Sequence, residues 1–252
     1  MEEPRVAIVR SYRPAHAYDH ARAVKARRVR LVGAMTVEEA FRATVLECLA
    51  QVGGNAPAIR GRDPEGVHQI RVGLRRLQMA LASFGDYADL PEMKALGKRG
   101  RTLADAFGPA RDLDVFSTEL LEPVAKGFRD SESFAALDRA VRHARGEAWD
   151  DALGEILNPE FGAFLNEMSA AAESVPSDRR RIRKAGRKAL ETHFRKVRKR
   201  GKRIGREFDN RVHKLRIALK KMRYAAEFFA PLYPEKKTEA YLKALKRLLD
   251  RM

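Results

Sequence analysis

Two histidines and a set of arginines and lysines recur in this chain at one fixed spacing, in a pattern suited to holding a polyanion. His68, Arg71, Arg75 and Arg76 lie in Val67–Phe84, VHQIRVGLRRLQMALASF. His213, Arg216, Lys220 and Lys221 lie in Val212–Phe229, VHKLRIALKKMRYAAEFF, 145 positions later and without a gap. Arginine can grip phosphate oxygens with two parallel hydrogen bonds, lysine acts as a point charge, and a protonated histidine adds a third kind of cation. On a helix of about 100° per residue, Val67, Ile70, Leu74, Leu77, Leu81 and Phe84 share one face. His68, Arg71 and Arg75 cluster away from it. The second copy sorts in the same way, with Arg223 joining its cationic side. Asp63-Pro64 is a start signal for the first helix, and Asp209 or Asn210 can cap the second.

Other chemistries are poorly served. A metal site is not expected, because no His-x3-His or cysteine partner accompanies either histidine and the neighbours are cations. No serine or cysteine stands in a turn motif beside a base, and no GxxxxGK[ST] or GxGxxG loop is present. His16, His20 and His143 carry no usable signal. A basic helix face ordinarily does no more than stay solvated. Repetition of the same stripe, each time with a histidine near the helix start, favours anion binding here. No cofactor is expected, and no enzyme.

Charge is unevenly spread. From Pro176 onward there are 27 Lys and Arg against 8 Asp and Glu, whereas residues 1–175 carry 24 against 26. So concentrated a cation attracts polyanions from a distance, and at this point nucleic acid, anionic membrane and polyphosphate all qualify. The chain has 252 residues, 44% of them apolar, enough for one large domain or two small ones. No run of about eighteen uncharged residues suggests a membrane span. One cysteine, Cys48, rules out an internal disulfide framework and suits a reducing cytoplasm.

Read in order, residues 1–34 form an arm or linker, with PRVAIV as the one stretch of strand character. Thr36–Glu39 is a capping box opening a helix to about Val52, followed by a loop rich in Gly and Pro and then the helix from Pro64 to Gly85. Further helices are expected over 91–107, 110–125, 131–157 and 159–172. Pro176-Ser177-Asp178 divides the halves. A very basic helix follows over 179–206, where Lys196, Lys199 and Arg203 could form a wall of the same groove or an independent nucleic-acid arm. Phe194, its only aromatic, sits on the apolar seam and argues against base stacking. The second organising helix and a last one from Glu235 complete the chain. Lys243 and Lys246 match Lys98 and Arg101 at the same offset. The expected fold is all-α.

The paired V-H-x-[IL]-R-[VI]-x-L-[RK]-[RK] helices, together with Phe107-Gly-Pro-Ala-Arg-Asp-Leu-Asp-Val115, resemble the CHAD family, the conserved histidine α-helical domain, over 35–252. The resemblance implies two four-helix bundles related by a pseudo-twofold, here 35–175 and 176–252, with a basic groove or pore between them. It also implies binding of inorganic polyphosphate and association with polyphosphate granules. Nucleic-acid binding, expected of any surface this basic, is expected to be only nonspecific. His68, Arg71, Arg75, Arg76 and their counterparts His213, Arg216, Lys220 and Lys221 become anion contacts. Arg111-Asp112 becomes a structural lock. At the repeat offset Met252 corresponds to Phe107, so the second bundle is expected to be incomplete. A CYTH-type neighbour is a family habit that residues 1–34 are too short to contain. Oligomeric state is left open.

Overall fold

Local signals start most of the helices, and a computed structural model describes them over residues 22–128, 131–202 and 208–252. Among the described residues there is no strand; the PRVAIV stretch lies outside them. Helix α1 (Val37–Gly54) begins with the Thr36 capping box. The Glu39 N–H donates to Thr36 Oγ1 at 3.2 Å and the Thr36 N–H to Glu39 Oε2 at 2.8 Å, which satisfies two end groups reciprocally. Asp63 caps α3 (Pro64–Ser83) by accepting from the Glu65 N–H at 2.9 Å. Between them, where a loop was expected, the chain forms α2 (Ala56–Arg60). The buried Asn55 side chain explains it. It bonds the Val24 N–H and C=O, both at 2.8 Å, and so ties this turn to the incoming segment.

After α4 (Gly85–Ala88) and α5 (Pro91–Ala106), the helix expected over 110–125 forms in pieces. These are α6 (Gly108–Val115), a π-helical stretch (Phe116–Leu121) and α7 (Glu122–Ala125). Pro123 has no N–H to donate and its ring crowds the carbonyl four residues back, which disfavours a regular helix there. Helices α8 (Glu132–Leu157) and α9 (Pro159–Glu173) are capped by Ser131 and Asn158. Helix α10 (Ile182–Gly201) starts later than expected, because residues 180–182 bond to another segment. Helix α11 (Phe208–Phe229) already includes Asp209 and Asn210, the expected caps. Helix α12 (Glu235–Asp250) closes the described chain.

The largest core lies where α1, α3, α5, α8 and α9 pack together, with Phe41, Ile70, Leu74, Leu77, Trp149 and Phe164 buried. Gly73 permits the close α1–α3 approach: a Cβ there would stand 2.8 Å from Val52 Cγ2. A smaller cluster of Leu215, Leu219, Met222, Leu245 and Leu249 joins α11 to α12. The described part of the arm is no free linker, for Val29 and Leu31 are buried in the main core.

The two copies meet through reciprocal contacts between matching residues. Thr36 bridges Arg181, its own counterpart. The Val37 N–H donates to the Arg180 carbonyl at 2.9 Å, and the Ile182 N–H to the Met35 carbonyl at 3.1 Å. Each of these bonds is the other moved by 145 positions. Phe84 likewise packs on its counterpart Phe229, ring centroids 5.6 Å apart. Such self-matching is the signature of a twofold relation.

The copies differ in what covers them. Helices α8 and α9 lie over α1 and α5, burying Leu49 to 7% and Leu96 to 3% exposure. Their counterparts on α10 and α12, Phe194 and Tyr241, are 48% and 39% exposed. Leu49→Ala should therefore cost about 2–5 kcal/mol in denaturant unfolding. Phe194→Ala at the matching position should cost under about 1 kcal/mol. Equal losses would contradict this asymmetry.

Candidate functional site

The cationic stripe is set in place by two matching arginines. Arg71 Nη1 donates to the Ala104 carbonyl, near the end of α5, at 2.9 Å. Arg216 Nη1 donates to the Leu249 carbonyl, near the end of α12, at 2.5 Å. The last carbonyls of a helix lack intrahelical partners, so a guanidinium there is favoured by both hydrogen bonding and the helix dipole. Gly108 makes room for the first of these contacts: a Cβ on it would lie 2.9 Å from Arg71 Nη1. Asp112 is the strongest opposite charge acting on Arg71, ahead of Asp105. In this way the GPARD segment and the stripe helix specify each other.

Around these anchors the cations gather. Burial holds the His68 imidazole below its ordinary pKa, and Arg111, Arg75 and Arg71 push it further down. Burial lowers Lys220 too, with added repulsion from Arg216, Arg75 and Arg223. Arg75 and Lys220 are counterparts in the repeat, so the two stripes approach each other across the twofold. The sequence of groups Arg111, His68, Arg71, Arg75, Lys220, Arg216 and Arg223 forms one electropositive band from the first half into the second. Within it, Arg223 is partly compensated by Glu227 at 3.1 Å. Burial raises the Glu227 carboxyl above its ordinary range.

Other expected site residues are placed differently. Arg76, expected as an anion contact, is only 5% exposed. Its guanidinium donates to Gln51 Oε1 at 2.7 Å and to the Arg27 carbonyl at 3.1 Å, and lies 5.5 Å from the Phe228 ring centroid. It is a core residue, and its counterpart Lys221 is exposed. Lys221 faces α10, where it and Lys196 repel protonation of the buried His193. With burial as the leading cause, the His193 pKa falls from 6.5 to about 4. His213, Lys196 and Lys199 are exposed, as are Lys98 and Arg101 on α5 and Lys243 and Lys246 on α12. Among the described residues none of these last four shares a hydrogen bond or ion pair with the band. Arg203 lies outside the described residues.

Arg111 acts electrostatically on His68. On the same helix the buried Asp114 forms a lock of its own, its Oδ1 accepting from Arg145 Nε at 2.6 Å and Trp149 Nε1 at 3.1 Å. Nothing in the local sequence separates these two roles; only the packing of α6 against α8 does. Among the described residues no three His, Cys, Asp or Glu side chains converge as metal ligands. Nor is any helix among them long and apolar enough to cross a membrane.

Comparison with known proteins gives the same architecture. The chain is similar to the crystal structure of the CHAD domain from the plant Ricinus communis, at 30% identity and a TM-score of 0.76, over 94% of this chain and 78% of that one. It shares a fold with PptA from Streptomyces chartreusis, at 15% identity and a TM-score of 0.61, over 84% and 82% of the two chains. Among curated proteins none matches. The family model described as the CHAD domain matches residues 43–252, and the chain belongs to the CHAD domain family.

Proposed function

We propose that this protein is a polyphosphate-binding module and not an enzyme, and that its binding surface is the band centred on Arg75 and Lys220. The observation that carries this reading is that α3 packs against α11 with those two repeat counterparts, both cations, near enough to repel each other. Like charges brought together in a partly buried seam repel more strongly than in bulk water, and an anion lying between them removes that repulsion. Inorganic polyphosphate is a flexible line of negative charge able to follow the whole band. His68, Arg71, Arg111, Arg216 and Arg223 extend the contact, and His213, Lys221, Lys196 and Lys199 widen it at one edge. Exposed Lys98, Arg101, Lys243 and Lys246 attract the chain at longer range. Arg76 is left out, since its donors are spent inside the core. In a cell such a module would operate in the cytoplasm and target its host to polyphosphate granules.

Arg75→Ala with Lys220→Ala should weaken polyphosphate binding by at least about tenfold. It should also reduce the slope of log affinity against log salt by about 1.4, near 0.7 for each lost phosphate contact on a single strand. Arg71→Ala should above all lower the melting temperature, since it frees the end of α5. A wild-type salt slope in the Arg75/Lys220 variant would overturn the proposed surface. Single-stranded DNA at equal charge concentration should bind more weakly than polyphosphate, and a preference for DNA would favour a nucleic-acid role.

Acidity provides a second test. His68 is depressed in the free protein, and a bound polyanion favours its protonated form. Affinity should therefore rise as the pH falls below about 6.5, and His68→Gln should flatten that rise. Isotherms that superimpose between about pH 7.5 and about pH 5.5 would contradict a histidine contribution.

A further inference from the structure

A cavity of about 230 Å³ opens where the end of α3 and the short α4 meet α10. One wall is the corner from Ala82 to Tyr87. The other is a stripe of α10 comprising Ala185, Lys188, Ala189, Thr192, His193 and Lys196, with Val37 and Phe229 as apolar floor. Because the chain is a repeat, this stripe has an internal standard. The matching residues of α1 are Ala43, Thr44, Glu47, Cys48 and Gln51, against Lys188, Ala189, Thr192, His193 and Lys196. Thr44, Cys48 and Gln51 are buried, so the first copy of this face is closed. In the second copy it is open, and two of its five residues have become lysines and one a histidine.

The polar groups around the cavity divide into used and unused. The Thr192 hydroxyl donates to the Lys188 carbonyl and that of Ser83 to the Met79 carbonyl. Arg180 is held by Asp86 and Asp178. Tyr87 is 5% exposed, and its buried hydroxyl has no hydrogen-bond partner. Among the described residues the buried His193 has no protein hydrogen bond, and neither Lys188 nor Lys196 has an acidic partner. The unused set facing the cavity is thus an imidazole and two ammonium groups around an aromatic and aliphatic floor.

We propose that this cavity binds a compact organic oxyanion, an acid group on a small apolar body. Lys188, Lys196 and His193 supply the polar contacts, and Phe84 and Phe229 face the body. Phe84 and Phe229 are also the pair through which the two halves meet, so an occupant here would contact both copies. The site adjoins the edge of the polyphosphate surface at Lys196 and is otherwise separate from the band around Arg75 and Lys220.

Phenyl phosphate is a suitable probe, titrated calorimetrically into the full chain beside inorganic phosphate and phenol. One equivalent should bind, on the order of tenfold more tightly than either control, because body and acid group are both recognised. His193→Gln removes the imidazole and should weaken binding about three- to tenfold. Lys188→Gln should weaken it on the order of tenfold. Both variants should leave polyphosphate affinity unchanged, while the Arg75/Lys220 double variant should still bind phenyl phosphate. Inorganic phosphate binding as tightly as phenyl phosphate would overturn the proposal. So would unchanged probe affinity in both cavity variants, or loss of probe binding in the Arg75/Lys220 variant.

Discussion

A twofold relation forces residues near its axis to face their own counterparts, and this constraint governs the rest of the molecule. Main-chain segments meet it easily, because each carries both a donor and an acceptor. The Met35–Val37 and Arg180–Ile182 segments accordingly exchange hydrogen bonds. Apolar residues also meet it easily, as Phe84 and Phe229 do. A cation does not, since its counterpart is another cation. Arg75 and Lys220 are therefore a standing electrostatic cost of the duplication, tolerable while water screens them and favourable once an anion is shared. Burial of Lys220 sharpens that cost.

The scaffold resists relief of this repulsion by outward movement of the stripe. Arg71 and Arg216 each tie it to the end of a neighbouring helix. An arginine has five N–H donors in a rigid fork, so one spent on a helix carbonyl leaves others for phosphate oxygens. Anchoring and anion contact are thus compatible in one side chain, and the planar fork directs them along separate N–H bonds. Arg76 is the opposite case. Its donors go to Gln51 and Arg27 and its face to Phe228, so it stabilises the core beneath the stripe.

Much of this was legible in the sequence, because a repeat carries its own alignment. The ungapped 145-residue offset identifies which residues are equivalent, and the 3.6-residue periodicity identifies their faces. Helix starts were also legible wherever a side chain makes the cap, as at Thr36, Asp63, Ser131 and Asn158. What periodicity could not resolve was the flank of a helix. Arg75 and Arg76 are adjacent and chemically alike, yet one is exposed and the other buried. The difference depends on Gln51 and Phe228, far away in the chain. Arg111 and Asp114 posed the same difficulty, since roles set by α8 and α3 leave no mark within GPARDLD. The late start of α10 was hidden for a related reason, because its first residues take their hydrogen bonds from the other copy.

Part of the uneven charge of the chain follows from the same comparison of copies. In the first half, α8 and α9 cover α1 and α5, and this cover is acidic: residues 131–175 hold nine Asp and Glu against three Arg and Lys. Some of those acids pair with the framework beneath, as when Arg99 meets Glu160 at 3.1 Å and also bonds Glu167. Arg62 does the same with Asp150. Residues 1–130 by themselves are basic, with 21 Arg and Lys against 17 Asp and Glu. Both halves are thus built on a cationic framework, and the first is neutral because its own covering helices balance it. On α10 and α12, with Phe194 and Tyr241 exposed, no described helix does so. Without that cover the first framework would stand at only about +4, against about +19 for residues 176–252. The missing acidic cover therefore accounts for a minor part of the difference, and the basic residues of the second half itself for most of it. The band at the axis stands at the edge of the field they create.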